Sequence, residues 1–152
     1  MLTPEEYLAF VQRALDGMIR IVEELGDDLA NTVPAIPGAN SPYATLHHCL
    51  GVMEYWGGHL VSGRPSTRNR ESEFTAAGTV TELVARTRDA QSTLAEDLRR
   101  ADPRAELPVQ PPASFLGPDF ELTVGGTFLH IYEELAQHHG QMEVAADLLS
   151  PR

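Results

Sequence analysis

The chain has 152 residues, 42% hydrophobic and 22% charged, which is ordinary for a globular protein and long enough to bury a core within one domain, residues 1–152. Its 11 basic and 22 acidic residues leave a net charge of −11, a field that repels phosphate backbones and argues against nucleic-acid binding. The lone cysteine, Cys49, rules out an internal disulfide. No apolar run reaches the roughly 18 residues of a membrane span, and "MLTPEEYLAF" lacks a signal-peptide pattern, so a cytoplasmic location is expected.

Helical periodicity marks four segments. The first follows "TPEE", with Thr3 as N-cap, Pro4 at the first helical position and Glu6 closing a capping box. Its stripe of Leu8, Val11, Leu15, Met18, Val22 and Leu25 recurs at three and four residues, and Gly26 is expected to stop it. The second begins at Ser41 and Pro42 and runs to about Ser62. The third starts at Thr79, again with a capping-box glutamate, Glu82, and buries Leu83, Thr87, Ala90, Leu94 and Leu98. The fourth covers about Thr123 to Leu149.

Long connections at 26–40, 62–78 and 102–122 separate these helices, the last of them rich in proline. No segment alternates convincingly as strands do. The expected fold is an all-α four-helix bundle whose long loops gather at its ends and frame a functional mouth. The 62–78 loop carries Arg64, Arg68 and Arg70, read either as a solvated loop or as a lip for an anionic ligand.

The fourth helix poses a chemical problem. At 100° per residue, Thr127, His130, Ile131, His138, Gln141, Ala145, Leu148 and Leu149 lie within roughly 60° of Glu134. The ends of this stripe are apolar or small, and its middle is His, Glu, His, Gln. A lone buried carboxylate costs several kcal/mol, so it must be paired, protonated or bound to a cation. Glu134 and His138 stand one turn apart, about 6 Å along the axis, so both can reach one ion. A carboxylate and a neutral imidazole suit zinc or a similar divalent metal with at least one further protein ligand. His130, about 12 Å from His138 along the axis, reads as a pocket residue behind such ligands. Gln141 reads as orienting a ligand or a water, and His139 as exposed or at a helix interface. A Glu–His pair that locks the bundle without metal is the alternative.

The second helix offers His47, His48 and His59, and periodicity does not choose among them. The pattern "SP", five residues, then His48, followed by "EYW" at 54–56, resembles the second helix of the DinB-like metal-binding superfamily. The run "LHIYEELAQHHGQ" resembles the last bundle helix of the same superfamily. Glu134 followed by His138 is similar to the branch of the mycothiol-dependent maleylpyruvate isomerase. That resemblance implies His48, Glu134 and His138 as metal ligands, zinc or another divalent ion such as nickel as cofactor, and an open position typical of catalytic sites. It further implies that a small-molecule thiol such as mycothiol attacks an electrophilic substrate, in a transferase or isomerase reaction, with Arg64 and Arg68 receiving an anionic substrate. A metal-dependent hydrolase using His130 or Glu54 as proton carrier, and a non-catalytic metal- or ligand-binding bundle, are the other readings. Cys49 lies on the apolar stripe and is read as core. A homodimer through exposed helix faces is plausible for a bundle of this size.

Overall fold

In the computed structural model, residues 3–112 and 120–150 are described. Helix α1 spans Pro4–Ala30. Helix α2 spans Pro42–Val52 and continues without interruption as a π-helix, Met53–Val61. The short α3 covers Arg70–Glu73, α4 covers Val80–Arg100, and α5 covers Val124–Leu149. No strand forms among the described residues, where Glu106 and Thr123 make one isolated bridge. The chain is thus an all-α bundle of four long helices. The proline-rich connection expected over 102–122 falls partly outside the described residues, at 113–119. No helix among the described residues is long and apolar enough to cross a membrane.

The helix starts follow from local chemistry. Thr3 and Glu6 close a reciprocal capping box, and Ser41, Thr79 and Thr123 each accept a backbone N–H in the first turn of their helix. α1 and the second helix each pack between α4 and α5. The centre is filled by Leu15, Met18, Leu46, Trp56, Leu83, Leu94, Ile131, Leu135 and Met142, all fully buried. Cys49 is buried among them, and burial raises its thiol pKa. It packs the core and is no nucleophile.

Two elements differ from the expectation. Gly26 ends the regular helix of α1 as expected, at φ 67°, ψ 176°, but a further turn then resumes across the kink through Ala30. Glycine enters that region without penalty, and the added turn brings Asp27 Oδ1 to accept from Val80 N at 2.7 Å. Asn31 meets Gly78 by both its amide groups. The start of α4 therefore holds the end of α1. The second difference is α3, a helix inside the expected loop at 62–78, capped by Asn69.

Candidate metal centre

α2 and α5 face each other, and His48, Glu134 and His138 meet across that seam. His48 is buried, while the other two are partly exposed. One ligand atom from each residue lies within 4.8 Å of the others. Glu134 Oε2 stands 3.6 Å from His48 Nε2 and 3.5 Å from His138 Nε2. Both distances are too long for good hydrogen bonds. They match the edge of a tetrahedron of nitrogen and oxygen ligands around zinc, about 3.4 Å. The donor set therefore fits a divalent ion.

Each imidazole is oriented from its far side. His48 Nδ1 is 2.7 Å from Glu73 Oε2, and a carboxylate only accepts, so Nδ1 carries the hydrogen and Nε2 faces Glu134. Glu73 is itself gripped by Arg68, whose Nε donates to Oε1 at 2.7 Å and whose Nη2 donates to Oε2 at 3.0 Å. Gly51 makes room for this carboxylate, since a Cβ there would collide with Glu73 Oε1. Phe74 stacks on the His48 ring at 4.7 Å. On α5, His138 Nδ1 lies 2.8 Å from Gln141 Oε1, which likewise turns Nε2 toward Glu134.

These contacts shift the titrations. The neighbouring His138 first, and His48 second, hold Glu134 well below the usual carboxylate range against the opposing effect of burial. Burial pulls His48 down, but contact with Glu134 and Glu73 outweighs it and the net shift is upward. Glu73 shows the converse: burial raises it, and His48 with Arg68 brings it below its ordinary value.

The remaining candidates lie elsewhere. His47 stacks on Tyr43, and Arg86 Nη2 donates to its Nδ1 at 3.1 Å. His59 Nδ1 donates to the Arg64 carbonyl at 2.7 Å. His130 is buried against Trp56, with Nδ1 3.1 Å from Glu133 rather than on the cluster. His139 is only partly exposed, packs over Gly17, and has a buried Nε2 with no hydrogen-bond partner. The loop arginines do not line the cleft beside His138. Arg64 is paired in bidentate fashion with Asp97 on α4, and Arg68 lies under Glu73 with its side chain buried. Each guanidinium is engaged by a carboxylate, while Arg64 keeps its side chain 41% exposed. Of the cluster, His138 lines a cleft of about 680 Å³, together with Gln141, Ile36, Phe74, Val144 and Leu148.

Glu73 carries no mark in the periodicity of its loop. The signals for it are Asn69, which caps α3, and Gly51, one turn from His48, where any side chain would fill the carboxylate's place.

A helical bundle with two histidines and a carboxylate converging from facing helices is a protein with a metal-type site. The chain belongs to the DinB superfamily, whose family model matches residues 11–142, a span that contains all three cluster residues. No curated protein matches the chain closely enough to add a nearer relative.

Proposed function

We propose that the chain binds a divalent metal ion, zinc or a similar ion such as nickel, through His48 Nε2, Glu134 and His138 Nε2. The observation that carries this reading is the approach of two imidazole nitrogens to one carboxylate oxygen at 3.5 and 3.6 Å. With both Nδ1 atoms turned toward acceptors, both Nε2 atoms aim lone pairs at Glu134. Lone pairs facing a carboxylate repel unless a cation lies between them. A proton meets that need for one ring, whereas a metal meets it for all three groups.

Membership of the DinB superfamily and the Glu134–His138 spacing support a finer reading: a thiol-dependent transferase or isomerase, in which a small thiol such as mycothiol meets an electrophile. A bound divalent ion would supply Lewis acidity, lowering the pKa of a thiol or water at its open position. The chain's own residues hold the geometry. Glu73 and Gln141 fix the two imidazoles, Phe74 covers one face of His48, and the cleft beside His138 admits the ligand. The hydrolytic alternative has less support. Glu54 is exposed and accepts from Ser66, and His130 Nδ1 faces Glu133.

Elemental analysis of untagged protein tests the metal reading. About one ion per chain is expected, with its loss in Glu134→Gln. An ion-free parent, even after incubation with zinc, would leave the cluster as a polar lock between α2 and α5. Turnover that depends on added thiol tests the finer reading.

A further inference from the structure

The cleft at the cluster has a chemical character that narrows its ligand. Among the described residues lining it are Ile36, Pro37, Phe74, Val144, Ala145 and Leu148, with Asn40, Thr45 and Gln141 as polar groups. None of its described lining residues is Asp, Glu, Lys or Arg, on a chain where 22% of residues are charged. Ile36, Val144 and Leu148 are 44%, 58% and 49% exposed, so three of the large apolar side chains left open to solvent gather around this one opening. A concave, mostly apolar cavity of about 680 Å³ with a few polar groups has the anatomy of a small-molecule site.

Charge bookkeeping at the cluster points the same way. A divalent ion on one carboxylate and two neutral imidazoles leaves one positive charge, which a single thiolate neutralises. A second anionic group on the ligand would then find no cationic side chain among the cleft's described lining residues to pair with. Arg70 lies over the Phe74 ring at 5.3 Å but is not part of the cleft lining.

We infer that the site takes a ligand with an uncharged, apolar body, an alkyl or aryl thiol that reaches past His138 with its sulfur, rather than an anionic thiol or a dicarboxylate. This rests on the proposed metal reading and deepens it.

Cobalt(II) in the full chain gives a test with separate readouts. The first is the visible spectrum with cobalt alone, in the parent and in Glu134→Gln. The second is the thiolate-to-cobalt band during titration with butanethiol or with mercaptopropanesulfonate, which has the same reach but an anionic end. Roughly tenfold or tighter binding of butanethiol is expected. Leu148→Asp should weaken butanethiol while leaving the thiol-free cobalt spectrum unchanged, and Leu148→Arg should shift preference toward the sulfonate. Cobalt binding with equal or tighter binding of the sulfonate overturns the ligand class and leaves the metal reading standing. Loss of that sulfonate preference in Arg70→Ala would assign it to Arg70, and the ligand class would be overturned all the same. A parent that yields no cobalt spectrum overturns both.

Discussion

Glu73→Gln changes one oxygen to an amide and tests how far the cluster depends on the groups behind it. Glu73 accepts from His48 on one side and twice from Arg68 on the other, with both side chains of the ion pair about as buried as a core residue, at 4% and 6% exposure. A glutamine retains a single acceptor oxygen, so its NH2 must confront a donor from either His48 or Arg68. The lost charge-assisted bond is worth about 1.5–3 kcal/mol and the mismatched buried donor about 1–3 kcal/mol, giving roughly 3 kcal/mol with partial relaxation. At this chain length, each kcal/mol shifts Tm by roughly 2–4 °C, so calorimetry of the metal-free protein should show a fall of roughly 6–12 °C. Release of the His48 ring should also weaken zinc by about 10–100-fold in a competition titration with a chelator. Glu71→Gln, on the exposed side of the same short helix, is the control and should change neither quantity. A Tm change within error together with unaltered zinc affinity would refute the reasoning. A lower Tm with unaltered affinity would make Glu73 a support for the loop alone.

Zinc affinity should fall as pH drops, because the ion must displace the proton that His48 keeps above its ordinary value of 6.5. The slope approaches about tenfold per pH unit per proton, readable as proton release in calorimetry across different buffers. In the metal-free chain the His48 contribution to stability is complete below pH 6.5 and lost as pH rises through the raised folded value, while that of Glu134 is complete above 4.5 and lost as pH falls through its depressed value. Urea titrations without metal should therefore place maximum site-derived stability between those limits. His48→Ala should abolish metal binding and His139→Ala should leave it nearly intact; equal metal content in the two variants would remove the assignment. Cys49 should resist a water-soluble thiol reagent in the native chain and react fully in denaturant, and fast native labelling would contradict its burial.

The sequence makes the long helices legible because their ends are written locally. Thr3, Ser41, Thr79 and Thr123 each cap a backbone N–H within three residues, so no tertiary information is needed. The π-helical stretch and α3 are not legible in that way. Gly57 lets the π-helix approach Leu94 across the bundle, a contact that periodicity does not encode, and four residues of α3 are too few to show a period. At the site, Glu134 and His138 stand out because polar groups interrupt an apolar stripe. The choice among His47, His48 and His59 needs the resemblance or the fold. Glu73 is missed, and the pairing of Arg64 unseen, because the sequence shows charges while their partners, His48 and Asp97, lie on other helices.

His48 and His138 sit on opposite sides of the bundle seam, with more than half the chain between them in sequence. An ion held by both is a reversible crosslink in a protein that has no disulfide available to it. Closing so long a loop restrains the unfolded chain by an amount on the order of 4 kcal/mol if it acted as a covalent bridge does. Unlike a covalent bridge, it comes and goes with the free ion. The lifetime of the folded chain against proteases would then follow the metal supply of its surroundings, linking how much of the protein persists to whether its site can be filled.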